Sequence, residues 1–455
     1  MLSDPLFSVL RSDQEPCGSC YVYLCALREP FTGFRFLRWA VTAKKRTYLW
    51  SLAGSIIPAV FRRFDGGYYI SPVIKLKKTY SYVKIFPKAP RRNIDMKKVL
   101  KISGIIIGVL ILIVLAYVAY LLIDYHREED NLPLEVTVPA AGVQAGAVPT
   151  GETLSITSWN IGFGAYTDQY SFFMDGGEYS RGFSKEIVEK TVEQISDDLV
   201  SFDSDFYFLQ EVDTDATRSY HLNEYEMIAS RFDEKYKIFA QNYDSSYLFY
   251  PILEPHGKSQ AGIATMSDYP VTSSVRRSLP IQSGLAKFFD LDRCYSISRL
   301  PAADGKELVL INFHLSAYTT DPTVAEAQLA MMYEDMTAEY EAGNYVICGG
   351  DFNKDLLGDS SEVFGVSGED YSWAQPFPYD SVPEGFTVVA PFDEENPVPS
   401  CRNADKPWDP ETNFQLTIDG FIISDNVRLV SSDVVDLQFA CSDHNPVYMD
   451  FILEN

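Results

Sequence analysis

Basic residues are scarce where the chain is longest. Beyond residue 130 there are 18 Lys/Arg against 53 Asp/Glu, whereas residues 1–130 hold 20 against 10. The 455 residues therefore carry a formal charge of −25, split between a basic first part at +10 and an acidic remainder at −35. Such a split argues for two compartments or two faces. So acidic a remainder is a poor candidate for a tight, non-specific grip on polyphosphate backbones, which needs many cations. Cysteine is sparse and odd in number, at seven, and Cys348 sits in an apolar run, so no disulfide framework is implied. Histidine is rarer still, at five. A G-x-S-x-G run is missing, which removes the serine-hydrolase elbow. Gly257-Lys258-Ser259 imitates the end of a P-loop, but Ile252 stands where its first glycine belongs, and a kinase or NTPase is excluded.

What is present begins with apolar content of 46% and aromatic content of 14%, enough for a large core and too much for a disordered chain. Ile102 to Ile123 runs without a charge. A helix of that length, at about 1.5 Å per residue, spans the ~30 Å hydrocarbon core. It exceeds the roughly 7–15 apolar residues of a cleaved signal peptide, so a transmembrane signal anchor over 102–123 is expected. Lys97, Lys98 and Lys101 precede it, and Asp124, Glu128, Glu129 and Asp130 follow. Positive-inside orientation then predicts a single-pass cell-membrane protein with its acidic domain extracytoplasmic.

Residues 1–95 are basic and aromatic, without sustained periodicity. Cys17 and Cys20 form a lone C-x-x-C with no partner pair, a weak zinc signal. Met96-Lys-Lys-Val-Leu-Lys has the form of an anchored protein's start, so 1–95 is expected to be an upstream extension. Residues 131–150, with Pro133, Pro139 and Pro149 among small residues, predict a tether holding a domain off the bilayer.

From residue 151 to 455 short apolar strands alternate with turns and a few helices. Strands are expected at Leu154–Trp159, Phe206–Leu209, Ile263–Met266, Tyr295–Leu300, Leu308–Phe313, Tyr345–Cys348, Leu416–Ile423 and Val447–Ile452. Ser184 is a candidate N-cap for a helix with Ile187, Thr191, Ile195 and Leu199 on one face. A second helix is expected over Thr323–Ala342, closed by Gly343. The class is α/β or α+β with largely antiparallel pairing.

Six polar clusters fall at the ends of these strands: Trp159-Asn160-Ile-Gly162, Gln210-Glu211-Val-Asp213, Asn312-Phe-His314, Gly349-Gly-Asp351-Phe-Asn353, Ile418-Asp419-Gly420 and Ser442-Asp443-His444-Asn-Pro446. Singly, each reads as readily as a turn or a satisfied core residue. Together they repeat one pattern, an apolar strand delivering a carboxylate or imidazole at its end. Burying those groups unpaired costs several kcal/mol, and a divalent cation is the usual remedy. Carboxylate and amide oxygens without cysteine suit Mg²⁺ or Mn²⁺ better than Zn²⁺. Oxygen ligands, an Asp/Asn pair and two histidines suit attack of water on phosphorus.

The ordered set WN, QEVD, NFHL, GGDFN, IDG and SDHNPV, covering about Leu154 to Leu453, resembles the endonuclease/exonuclease/phosphatase superfamily. Relatives there include DNase I-like nucleases, apurinic endonucleases, neutral sphingomyelinases and inositol polyphosphate 5-phosphatases. The resemblance implies a four-layer α/β/β/α sandwich with its site at one rim of two packed sheets. It implies Glu211 as principal Mg²⁺ ligand, Asn160 beside it and Asp443 as a further metal-side carboxylate. Asp351 would orient or deprotonate the attacking water, and Asn353 would fix it. His444 would contact the phosphoryl oxygen, held in its tautomer by Asp419. His314 would stabilise the transition state or protonate the leaving oxygen. Pro399-Ser-Cys-Arg402 only faintly matches the phosphatase signature, and Asp213 is read as structural.

The expected function is Mg²⁺-dependent phosphoester hydrolysis on lipid head groups or small phosphoesters. An extracytoplasmic endonuclease or exonuclease on DNA or RNA is the alternative. A non-catalytic tethered binding module would be expected to have lost Glu211, Asp351 or His444, and all three stand. No protein partner is indicated.

Overall fold

The computed structural model describes five strands between residues 21 and 71, and residues 95–139, 146–284, 286–288, 291–316, 322–368, 371 and 373–454. Cys17 and Cys20 lie outside the described residues. The chain divides into two units, Met1–Asp95 and Met96–Asn455. In the first, Tyr21–Ala26, Leu37–Ala43 and Arg46–Trp50 form an antiparallel sheet, and Val60–Phe64 pairs with Gly67–Ser71.

The second unit opens with helix α1 (Met96–Asp124), whose side chains over the uncharged stretch are almost all solvent-exposed. It is long and apolar enough to cross a membrane. Two seven-stranded sheets follow. The first contains β1 (Thr153–Asn160), β2 (Phe206–Ala216), β3 (Tyr236–Asp244), β4 (Ser259–Ser267), β11 (Val427–Val434) and β12 (Val447–Leu453), in the order β11-β12-β1-β2-β4-β3. The second contains β5 (Ser273–Ser278), β6 (Cys294–Pro301), β7 (Glu307–His314), β8 (Tyr345–Asp351), β9 (Phe386–Val389) and β10 (Asp419–Ser424), in the order β9-β10-β8-β7-β6-β5. Pairing is antiparallel except at β1–β2 and β7–β8. Each parallel pair is linked by a crossover carrying a helix, α2 (Lys185–Phe202) or α4 (Pro322–Glu341). The remaining helices, α3 (Glu224–Ala229) and α5 (Ser360–Phe364), are short.

Strand alternation builds the layers. Phe206 and Phe208 on β2 meet Leu308 and Leu310 on β7 between the sheets, with Ile156, Ile347, Phe421 and Phe451. The intervening Tyr207 and Leu209 face Val188, Val192, Ile195 and Leu199 of α2. On the other side Val309 and Ile311 face Leu329, Met332 and Met336 of α4. The result is the α/β/β/α sandwich. Both inner strands are buried on two faces, which is why they read as unbroken apolar runs.

Three expectations need correction. Ser184 caps α2 by accepting the Ile187 N–H, but the Ile187 side chain is 38% exposed and Val188 and Val192 take the buried stripe with Ile195 and Leu199. The expected strand Leu416–Ile423 is broken into Gln415–Leu416 and β10. Between them, the Thr417 and Ile418 carbonyls accept from Leu356 and Phe352, and their N–H groups go to Ser360 and Ser400 hydroxyls. The proline-rich 131–150 stretch is not a free tether: Leu132–Pro133 extends the second sheet beside β5, and Val136–Thr137 the first beside β3. After only seven connecting residues beyond α1 the chain is already in a sheet.

Candidate active site

The ends of β1, β7 and β8, the middle of β2 and the start of β10 meet at one rim. There a cleft of about 140 Å³ is lined by Glu211, His314, Asp351, Asn353, Asp443 and His444 among others. Parallel pairing sets this up, because Asn160 stands opposite Gln210, and His314 opposite Asp351. Glu211 (φ +56°) and Asn353 (φ +50°) both hold left-handed backbone. Glu211 lies where β2 bulges against β4, so that its side chain leaves the pleat and joins the rim.

Asn160 Nδ2 donates to Glu211 Oε1 at 3.3 Å and to Asp351 Oδ2 at 3.0 Å, and its Oδ1 accepts the Gly162 N–H. Asn160 thus lies between the Glu211 and Asp351 carboxylates, and its oxygen keeps a second lone pair on the side of the expected cation. Asp351 Oδ1 accepts the Asn353 N–H at 2.8 Å, and Asn353 Nδ2 donates to the Leu315 carbonyl. One amide hydrogen of Asn353 is thereby spent on fixing the loop after β7.

Asp419 lies behind the cleft wall. Its Oδ2 accepts His444 Nδ1 at 2.8 Å and the Ser400 hydroxyl at 2.8 Å. His444 Nε2 is thereby left facing Asp351 Oδ2 at 3.8 Å and Cys401 Sγ at 3.6 Å. Burial pulls the His444 pKa down, but the Asp419 carboxylate outweighs it and leaves His444 well above the ordinary imidazole value. His314 goes the other way: burial, then Arg293 and His444, hold it well below, so it is neutral. Its 3.4 Å approach to Asp351 is accordingly a neutral contact, not an ion pair. Neutrality removes His314 as a strong acid and leaves it a hydrogen-bonding role.

Burial pushes Asp351 up to about 7, with Asp419 adding to it, and Asp443 up to about 6, with Glu211 adding to it. Burial and mutual repulsion drive these converging carboxylates towards protonation even though the His444 cation opposes the shift at both, so the cleft still favours an added positive charge. The donor set of Glu211, Asp443 and Asp351, all oxygen, fits a hard divalent cation. Asp351, Asp419 and His444 also lie within 4.8 Å of one another, but His444 Nδ1 and Asp419 already satisfy each other, so the Glu211 side is the better receptor.

Other residues of the motifs serve the frame. Gln210 Nε2 donates to Asn312 Oδ1 at 2.9 Å, bridging the sheets inside the core. Trp159 Nε1 donates to the His444 carbonyl and Ser442 Oγ to that of Asn160, stapling the last motif to the first. Asp213 is held by both Arg218 and Ser219. The sequence reading missed Arg218, Arg293 and Trp373, which line the cleft, and gave no role to Arg402, which does too. Ser400, in the segment set aside as a faint match, turns out to hold Asp419. The aromatic wall of Phe163, Tyr166 and Phe172 was also missed, since no local pattern marks it.

Residues 157–444 match the model of the Endonuclease/Exonuclease/phosphatase family, more than half of the chain. The chain belongs to that family. As a member it is a phosphoester hydrolase. Among solved structures, an endonuclease/exonuclease/phosphatase from Beutenbergia cavernae is 16% identical, over 67% of this chain and 72% of that one, with a TM-score of 0.45. The human Nocturnin catalytic domain with bound sulfate is 15% identical over 70% and 96%, with a TM-score of 0.41. An endonuclease/exonuclease/phosphatase from Bacteroides vulgatus is 15% identical over 67% and 100%, with a TM-score of 0.42. No curated protein sequence matches the chain.

Proposed function

We propose that this protein is a membrane-anchored, Mg²⁺-dependent hydrolase of phosphodiesters on lipid head groups or small phosphoesters, with α1 as its anchor and the catalytic unit outside the cell. The observation that carries the chemistry is the convergence of Glu211, Asp351 and Asp443 on one cleft, where Asp351 and Asp443 stay raised despite the neighbouring His444 cation, beside a neutral His314.

Glu211 and Asp443 would hold the cation, which on binding supplies positive charge to the phosphoryl oxygens. Asp351, raised towards neutrality, takes the proton of the attacking water, and its place on the Asn353 N–H fixes the carboxylate for that transfer. The water oxygen bonds to phosphorus as the ester P–O bond breaks on the opposite side, and the departing oxygen takes a proton from solvent. His444, cationic and locked by Asp419, faces the charge that builds on the phosphoryl oxygens. His314 contributes a neutral N–H at the same wall. The anchor reading rests on α1 and on the basic-to-acidic switch across it.

The test is the full chain, purified in detergent, assayed with Mg²⁺ and with chelator on sphingomyelin, phosphoinositides, glycerophosphocholine, DNA and RNA. Metal-dependent release of head groups is expected. Turnover confined to nucleic acid would replace this substrate class by the nuclease one.

A further inference from the structure

Tyr247-Leu-Phe-Tyr-Pro-Ile-Leu253 is a run of seven residues without a charge, yet it is not core. Ile252 is 83% and Leu253 99% exposed, and Phe249 and Tyr250 also stand more than half in the open. Scattered single apolar residues need no explanation, but four large ones within five residues of one loop mark a contact surface.

Its neighbour says what covers it. Tyr120 Oη accepts the Tyr247 N–H at 2.9 Å, and Tyr117 Oη donates to the Tyr247 carbonyl at 3.1 Å. The Phe249 ring lies edge-on to that of Tyr117 at 5.3 Å. Tyr117 is six residues before Ile123, where the uncharged run of α1 ends, or about 9 Å along the helix axis. The loop is thus docked on the last two turns of the apolar helix, from about 9 Å inside its end up to the surface where aromatic side chains gather. Backbone left at that depth needs internal partners. The part of the loop against α1 has them: Leu248 and Gly257 exchange N–H to carbonyl bonds, and the His256 N–H goes to the Tyr250 carbonyl.

The same loop runs into the cleft. The Tyr250 ring is 5.8 Å from that of Phe173, which is 5.9 Å from His256, and His256 lines the cleft with Phe172, Met174 and Glu211. An apolar path therefore leads from the exposed tip to the rim carrying the carboxylates. The short connection after α1 keeps it so, because Tyr125 Oη donates to Asp292 and Arg127 to the Leu279 carbonyl.

From this we infer that Tyr247–Leu253 inserts into the leaflet that α1 crosses, and that the cleft takes its phosphodiester from the head group of a lipid in that same bilayer. The inference rests on the hydrolase and anchor readings above, and it adds where the substrate comes from. Two arms test it on the full chain in phosphatidylcholine vesicles. Leu253→Trp, at a fully exposed position, is expected to add emission that brominated phosphatidylcholine quenches, relative to the same vesicles without wild-type background. Unquenched emission overturns the insertion, whatever the activity. In vesicles containing sphingomyelin, the pair Ile252→Asp and Leu253→Asp is expected to lower lipid turnover about tenfold or more while hydrolysis of bis(p-nitrophenyl) phosphate stays within about twofold. Equal retention on both substrates overturns the inference, as does a wild type active on the soluble ester and on glycerophosphocholine but not on vesicle lipid. A wild type inactive on every ester would instead sink the hydrolase reading, with the quenching arm still deciding insertion.

Discussion

Replacing Asp419 by Asn should disable His444 without disturbing the fold, and the size of the effect follows from the contacts. Asp419 is 1% exposed, and one of its oxygens accepts both His444 Nδ1 and Ser400 Oγ at 2.8 Å. A hydrogen bond to a charged group contributes about 1.5–3 kcal/mol, so a shape-conserving loss of that charge corresponds to roughly 10- to 10²-fold in kcat/KM. Ser400→Ala removes a hydroxyl that donates to Asp419 and accepts the Ile418 and Asp419 N–H groups, about 0.5–1.5 kcal/mol per bond, and should lower the urea midpoint as well as the rate. The decisive measurement is the cycle of Asp419→Asn, His444→Gln and the double variant, assayed as kcat/KM on bis(p-nitrophenyl) phosphate. If Asp419 acts only through His444, the double variant falls no further than His444→Gln alone. Losses that multiply would show two independent contributions and refute the relay. Urea midpoints measured alongside separate a catalytic loss from a destabilised rim.

Chelation by EDTA should abolish hydrolysis and Mg²⁺ should restore it, with Glu211→Gln raising the Mg²⁺ needed for half-maximal rate; a rate indifferent to chelator would remove the cation from the reaction. His256, which burial holds down at about 3 and which packs on Phe172 and Phe173, is neutral in the fold but binds a proton near 6.5 when unfolded. Its contribution to stability is therefore present above about 6.5 and lost as pH falls towards 3, and His256→Gln should flatten that part of the urea-midpoint profile. Ile195→Ala, fully buried against β2, should cost about 2–5 kcal/mol in urea denaturation, whereas Ile187→Ala should stay within about 0.5 kcal/mol. Protease added to intact cells should cut within 131–455, and protection there but not in lysed cells would reverse the orientation.

What could be read in advance was whatever repeats with the period of an element. Phe206 to Leu209 announced a strand, and Ser184 announced a helix start by its side-chain chemistry alone. The side chains that meet at the rim were legible as a set for the same reason, since most stand at the end of an apolar run, as Asp351 does after Tyr345–Cys348. Ile187 was misplaced because it sits in the first turn, where the apolar stripe has not yet met the sheet. Leu132–Pro133 and Val136–Thr137 are two residues each, too short to show alternation, and only the free edges of β5 and β3 make them strands.

The residues that escaped are those whose partners are remote in sequence. Arg293 belongs to the cleft because its guanidinium donates to the Leu315 carbonyl, 22 residues on, and nothing near position 293 announces that. Tyr247–Leu253 escaped for the opposite reason: its local pattern resembles a buried strand, and only its exposure beside Tyr117 tells otherwise. The two failures have one cause. Composition reports how much a segment gains by leaving water, but not whether protein or lipid receives it. In an ordinary soluble domain the first answer serves nearly always. In a chain that carries an apolar helix on the same unit, a run of seven uncharged residues has two destinations, and the hydrogen bonds joining the Tyr117 and Tyr120 hydroxyls to the Tyr247 backbone are the observation that favours lipid.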